Sequence, residues 1–253
     1  MKRLEALALT GGNFNIADKE KFDLSIRMLK DSLSDKGATM FVSDNMILWG
    51  KIYSFVRDDY YREFLTSDDV SLVEKSIIWR TYILLYFAEI ASHLEGDFAE
   101  FGCLKGSTAY QVIQKLNFAQ LNKRFFLYDL FEWKEGDPHS RLPDLDNPNL
   151  YKEVQERFSV FNFVTIIKGS VPQSFERGFP DRIAFAHIDM NSPGPEVAAL
   201  QAVLPKLVIG GVVILDDYGW WWYSAQKVAL DPIIKQHGLK VLELPTGQGL
   251  IIK

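Results

Sequence analysis

The stretch Gly96-Asp97-Phe98-Ala99-Glu100-Phe101-Gly102-Cys103-Leu104-Lys105-Gly106-Ser107 decides the fold. Its short apolar run, Asp97 to Phe101, ends in a glycine-bearing turn and leads into a helical pattern from Thr108, which predicts a strand feeding a helix. The same rhythm repeats downstream in the runs Phe125 to Tyr128, Phe163 to Lys168, Ile183 to Ile188 and Val212 to Leu215. Runs without polar alternation suit strands covered on both faces. Their alternation with helices implies a mostly parallel sheet with right-handed crossovers. At the C-terminus the rhythm breaks. Leu239 to Leu244, the turn Pro245-Thr246-Gly247-Gln248, and Gly249 to Lys253 predict an antiparallel pair closing the sheet.

Before Gly96 only helix-like pieces occur: Lys19 to Leu33, Met46 to Phe64, and Ser71 to Leu94, the last opening on a Ser71 cap with Glu74 three residues on. The expected organisation is a helical region over 1–95, covering the cleft or contacting another subunit, followed by an α/β core over 96–253. Met46 to Phe64 suits either a lid or a packing helix.

At 253 residues, 47% hydrophobic and 24% charged, the chain has the proportions of an ordinary globular protein. Its one cysteine, Cys103, excludes an internal disulfide and a cysteine zinc cluster, leaving a reducing cytoplasm as the default compartment. A net charge of −5 without a Lys/Arg cluster argues against a nucleic-acid partner. No segment approaches the roughly 20 apolar residues of a membrane helix. The longest candidate, Ile77 to Ala91, is interrupted by Arg80, Thr81 and Glu89, and no secretory signal follows Met1.

Open α/β sheets bind ligands beyond the carboxyl ends of their strands, so the residues just after each run are the candidates. Gly102 and Gly106, with Ser107 opening the helix, let a ligand approach the backbone at a helix N-terminus. Leu104 occupies the second glycine position of the dinucleotide fingerprint, which argues against a nicotinamide cofactor. Glu100 suits a cofactor carrying an ammonium group, Asp129 the hydroxyls of a ribose, and Ser170 the edge of an adenine ring. Asp189, Asp216 and Asp217 end two apolar runs and place three acids at one sheet edge. They either cap helices in solvent or hold a hard divalent ion, and oxygen-only ligands fit Mg²⁺ better than zinc. His187 shares a strand face with Asp189 and is either a packed histidine or part of the site. His139 lies in a loop that either stays at the surface or reaches the cleft. Trp220, Trp221, Trp222 and Tyr223 either wall a pocket or bury against another subunit.

Together, Glu100-x-Gly102, Asp129, Gly169-Ser170, the Asp189 run and Gly210-Gly211-x-x-Ile214-Leu215-Asp216-Asp217-Tyr218 resemble the class I S-adenosylmethionine-dependent methyltransferases. More narrowly, Gly96 to Gly102, Tyr128-Asp129-Leu130-Phe131-Glu132, His187-Ile188-Asp189, Leu204-Pro205-Lys206-Leu207, Asp216 to Gly219 and Leu244 to Gly249 are similar to the macrocin O-methyltransferase family of sugar-modifying enzymes. One departure is Asp189-Met190-Asn191-Ser192-Pro193, where family members often carry Asp-Gly-Asp-Leu-Tyr.

The resemblance implies a Rossmann-like seven-stranded sheet with a terminal antiparallel hairpin. It also implies S-adenosyl-L-methionine as donor, Mg²⁺ on Asp189, Asp216 and Asp217, and methyl transfer to a sugar hydroxyl. The distantly related catechol enzymes use a lysine base at the position of Ser192, so that mechanism is closed. The sugar-type family gives the base role to the residue matching Asp189, with His139 and His187 in reserve. The expected partner is a small sugar-containing acceptor, bound by a homo-oligomer without nucleic acid or membrane. Two other readings are a phenolic or catechol-like acceptor and a non-catalytic S-adenosylmethionine-binding or assembly protein.

Overall fold

The structure is a computed structural model that describes residues 12–34, 40–135 and 142–253. The chain forms two compact units, Met1–Tyr82 and Ile83–Lys253.

In the first unit, α1 (Lys19–Ser32) starts where the Asp18 carboxylate accepts from the Lys21 amide. The next two elements correct the all-helical expectation for this region. Phe41–Ser43 (β1) and Met46–Leu48 (β2) form an antiparallel hairpin. Its turn, Asp44-Asn45, has φ of 52° and 53°, the left-handed pair that a two-residue hairpin demands and that Asp and Asn tolerate. Helix therefore begins only after a 3₁₀ turn at Ser54–Arg57, as α2 (Asp59–Thr66).

The expected single helix from Ser71 is two, α3 (Leu72–Ser76) and α4 (Ile78–Ser92), and the division between the units falls inside α4. At the break, the Ser76 carbonyl accepts from Ser43 Oγ at 2.8 Å. Asp44 also holds Arg80 through two bonds of 3.0 and 2.8 Å, a forked pair with both side chains at most 10% exposed. Phe55, Tyr61, Trp79 and Tyr82 pack ring against ring in the same unit, Phe55 stacking on Tyr82 at 4.2 Å.

Ser71 and Glu74 form a reciprocal capping box, each side chain accepting from the other's amide. Ser71→Ala should cost about 1 kcal/mol of stability by thermal denaturation, and Ser71→Asp should retain most of it, because a carboxylate caps as well as a hydroxyl.

The second unit holds β3 (Asp97–Phe101), α5 (Ser107–Leu116), β4 (Phe125–Asp129), α6 (Leu150–Phe158), β5 (Val164–Lys168) and β6 (Ile183–Ile188). They are followed by α7 (Pro193–Lys206), β7 (Leu207–Leu215), α8 (Ser224–Gln236), β8 (Leu242–Glu243) and β9 (Gly249–Ile252). The strand order is β5-β4-β3-β6-β7-β9-β8, parallel from β5 to β7 and antiparallel from β7 to β8. This is the Rossmann-like α/β sheet with a closing hairpin that the sequence predicts. β7 starts five residues earlier than the apolar run, because Gly210 and Gly211 continue it by bonding to Lys253 of the neighbouring chain end.

The chain leaves β3 for β4 and β5 on one side and returns to β6 on the other. The crevice beyond the carboxyl ends of β3 and β6 is thus the switch point of the sheet. Every residue of β6 is buried, and Phe101, Tyr128, Ile188, Val203, Leu215 and Ile251 pack in one core beneath that edge. Among the described residues, no helix is long and apolar enough to cross a membrane.

Candidate active site

Parallel register brings the strand ends level. Glu100 pairs with His187, Phe101 with Ile188, and Ile188 with Leu215. The next amides continue the ladder, Asp189 N donating to the Phe101 carbonyl at 2.8 Å and Asp216 N to that of Ile188 at 3.0 Å. Two of the acids are thereby held by backbone at one edge.

A cavity of about 250 Å³ opens beside them. Gly102 and Leu104 line it after β3, Tyr128 and Asp129 at the end of β4, Gly169, Ser170 and Val171 after β5, and Asp189, Met190 and Asn191 after β6. Leu130, Leu142, Leu145 and Pro195 complete an apolar wall. Asp129 joins two of these segments: Oδ2 accepts from the Leu104 amide and Oδ1 from that of Phe131, both at 2.7 Å. Leu104, Phe131 and Asn191, one after each of three strands, have φ of 46°, 54° and 53°. A bulky residue in that region costs on the order of 1 kcal/mol, and the two bonds to Asp129 hold the first two there.

Of the residues expected around a cofactor, Gly102, Asp129 and Ser170 line the cavity, whereas Glu100, Gly106 and Ser107 do not. Gly106 instead caps α5 in a left-handed conformation, φ 71°, against the Phe158 ring, which a Cβ would approach to 2.4 Å. Ser107 is the first residue of that helix. Glu100 is buried beneath the edge, its Oε1 2.9 Å from His187 Nδ1, while its Oε2 has no hydrogen-bond partner. His187 Nε2 lies 3.5 Å from Asp216 Oδ1 and likewise has no hydrogen-bond partner. His139 lies outside the described residues.

His187, Asp189 and Asp216 each offer a donor atom within 4.8 Å of the others'. Asp217 stands outside that trio, though its charge acts on Asp189. Burial, and then the charges of Asp216 and Asp217, push the Asp189 carboxyl well above the ordinary carboxylate range. Burial pulls His187 down, but the carboxylates of Asp216 and Glu100 on either side of the ring outweigh this and hold it well above the usual imidazole value. A divalent cation fits this donor set on two observations: it relieves the repulsion at Asp189 and satisfies the orphaned His187 Nε2. A nucleoside-bearing cofactor fits the cavity through its apolar wall, Asp129 and Ser170.

Two supporting groups escaped the sequence reading. Gln248 Nε2 donates to Asp216 Oδ1 at 2.9 Å, and Glu196, buried in the first turn of α7, accepts from Gln226 Nε2 at 2.8 Å and from the Met190 amide. In sequence, Glu196 looks like any solvated acid near a helix N-terminus. Among the aromatics, Trp220 is anchored by donating to the Thr246 carbonyl at 3.1 Å, whereas Trp221 is 82% exposed. Ser192 is buried at the start of α7.

The Glu196 carboxyl is pushed up to about 8, chiefly by burial. The folded state therefore keeps a proton that the unfolded chain releases near its ordinary value of about 4.3, so stability falls as pH rises between about 5 and 8. Glu196→Gln should make this slope shallower, melting with the parent protein near pH 5 and above it at about pH 8 in the presence of chelator.

Residues 99–218 match the family model described as a methyltransferase domain, Methyltransf_24. No curated protein matches the chain by sequence. Among solved structures, the O-methyltransferase NovP superposes with a TM-score of 0.56 at 16% identity, over 72% of this chain and 81% of its own. CalS11, described as a TDP-rhamnose 3′-O-methyltransferase of calicheamicin biosynthesis, gives 0.54 at 14% identity, over 94% of this chain and 95% of its own. The methyltransferase PaMTH1 of Podospora anserina, with S-adenosylhomocysteine bound, gives 0.51 at 13% identity over 94% and 97%. At these identities the superpositions establish a shared fold. Residues 99–218 are thus similar to a methyltransferase domain and lie in a fold shared with these O-methyltransferases.

Proposed function

We propose that the protein is an O-methyltransferase that moves a methyl group from S-adenosylmethionine to a hydroxyl of a sugar-containing small molecule, with Mg²⁺ held by Asp189, Asp216 and Asp217. One observation carries this reading: Asp189 lines the cavity and also lies, donor to donor, within 4.8 Å of Asp216. The sugar acceptor is supported by the architecture shared with CalS11 over nearly the full length of both chains. A phenolic acceptor served by a lysine base is disfavoured, since Ser192 stands where that lysine would be.

The bound donor supplies an electrophilic sulfonium methyl. The cation supplies positive charge that lowers the acceptor hydroxyl's pKa. The chain's residues do the rest. Each Asp129 oxygen accepts from one backbone amide, which fixes the carboxylate that meets the ribose hydroxyls. Ser170 edges the adenine, and Leu104, Leu130 and Val171 exclude water from the apolar wall. Asp189 accepts the hydroxyl proton as the new C–O bond forms and the methyl–sulfur bond breaks, leaving a neutral thioether. Holding the oxygen in line with the methyl turns an encounter into an oriented displacement, worth up to about 7–11 kcal/mol in well-oriented cases.

Calorimetric titration with S-adenosylhomocysteine, with and without Mg²⁺, followed by nucleotide sugars added to the preformed complex, tests the proposal. Binding of the cofactor product and metal-dependent binding of a nucleotide sugar are expected. Failure to bind S-adenosylhomocysteine would overturn the donor assignment. Cofactor binding followed by methyl transfer only to a catechol would overturn the acceptor.

A further inference from the structure

We infer that His187 is itself a metal ligand, held in place by Glu100, and that the site therefore prefers a transition ion such as Mn²⁺ or Co²⁺ over Mg²⁺. The inference rests on the divalent-cation reading above and changes both the donor set and the ion.

The argument begins with register. β3 and β6 place Glu100 and His187 side by side on one sheet face, and the Glu100 carboxylate meets Nδ1 at 2.9 Å. A carboxylate there accepts the Nδ1 proton, which selects the tautomer whose Nε2 carries a lone pair. That lone pair faces the site: Nε2, an Asp189 oxygen and an Asp216 oxygen lie within 4.8 Å of one another. The imidazole is 4% exposed, and no described residue or backbone group bonds to Nε2. A buried imidazole nitrogen aimed at two carboxylates needs a positive charge between them, either a proton or a metal ion.

Carboxylate, histidine and metal in series is the arrangement by which proteins orient imidazole ligands and raise their basicity. Glu100 meets this role closely, since its second oxygen has no other partner. Three donors around one ion with bonds of about 2.1 Å sit roughly 3.0–3.6 Å from one another; His187 Nε2 and Asp216 Oδ1 are already 3.5 Å apart, and the remaining separations, all within 4.8 Å, must close by up to about 1–2 Å. Mg²⁺ favours oxygen ligands, whereas an imidazole nitrogen raises affinity along the series from Mn²⁺ towards Co²⁺ and Ni²⁺. His187 thus accounts for a buried histidine in a strand otherwise made of Ile, Ala and Phe.

Chelator-treated full-length protein should be loaded with Mn²⁺ and studied by pulsed electron paramagnetic resonance, with Mn²⁺ and Mg²⁺ affinities measured by competitive titration. A nitrogen hyperfine coupling is expected in the unmodified protein and should disappear in His187→Gln. Mn²⁺ affinity should fall at least about tenfold in His187→Gln and about tenfold in Glu100→Gln, with a smaller change for Mg²⁺. Bound Mn²⁺ without nitrogen coupling would overturn the inference and leave an oxygen-only site, with His187 neutralised by a proton shared with Asp216. No binding of either ion to the folded protein would overturn the inference together with the metal part of the proposed function. The coupling in the unmodified protein decides the question even if a variant fails to fold.

Discussion

Asp216→Asn should lower methyl transfer by about a hundredfold or more while leaving the protein as stable as the parent or more so. The two effects have opposite signs for one reason. Asp216 contributes negative charge to a buried edge where Asp189 already carries a carboxyl raised by burial and by Asp216 itself. Removing that charge relieves the folded state. It also removes a donor from the metal trio, and losing one preorganised electrostatic partner costs on the order of 10²–10³ in rate. Asn keeps the side-chain shape, the amide bond to the Ile188 carbonyl is untouched, and its carbonyl oxygen still accepts from Gln248 Nε2. Rates at saturating donor and Mg²⁺, with melting temperatures taken in chelator, check both halves. An unchanged rate would separate the acid edge from the chemistry.

Gly102→Ala should be the most damaging single-methyl change in the second unit. An added Cβ would lie 1.8 Å from the carbonyl oxygen of Asp189 and 2.6 Å from its carbonyl carbon, and Gly102 has a φ of +88°. The obstacle is backbone rather than the end of a side chain, so the chain after β6 must move. We expect a loss of about 4 kcal/mol or more by denaturant unfolding. In whatever fraction folds, a rate loss of about a hundredfold is expected, because misplacing the Asp189 segment by about 1 Å suffices for that. Gly238→Ala is the control: its φ is +68° with nothing within 4 Å, so only the conformational cost of about 1–2 kcal/mol should appear. Similar losses in the two variants would mean that the close approach at Gly102 is unimportant. This contact also revises why Gly102 is a glycine. Its place on the cavity wall is real, but the approach it permits is that of Asp189, from the next strand of the sheet.

The core strands were legible because their signal is local. A run such as Ile183 to Ile188 is buried along its whole length, so continuous apolarity marks it without knowledge of its neighbours. The N-terminal hairpin was not legible. Met46 to Phe64 has helix-compatible spacing, and the decisive feature is the left-handed pair Asp44-Asn45, whose turn is secured by Arg80 from a helix far along the chain. The break at Ile77 was hidden likewise, since Ser43 reaches the Ser76 carbonyl from the hairpin.

At the site, the sequence by itself determined that Asp189 and Asp216 stand at neighbouring strand ends. Each follows its own apolar run, and parallel strands in this order present their carboxyl ends together. Only the tertiary structure decided what lies behind them. Glu100, expected at a cofactor, faces His187 across 87 residues of chain, and Glu196, unremarked in a helix start, is buried against Gln226. Strand register sets the first pairing and helix docking the second, and a one-residue slip between β3 and β6 would put Glu100 and His187 on opposite faces of the sheet. Local periodicity identifies a strand, but the contact that gives a buried polar residue its role depends on the partner brought to it.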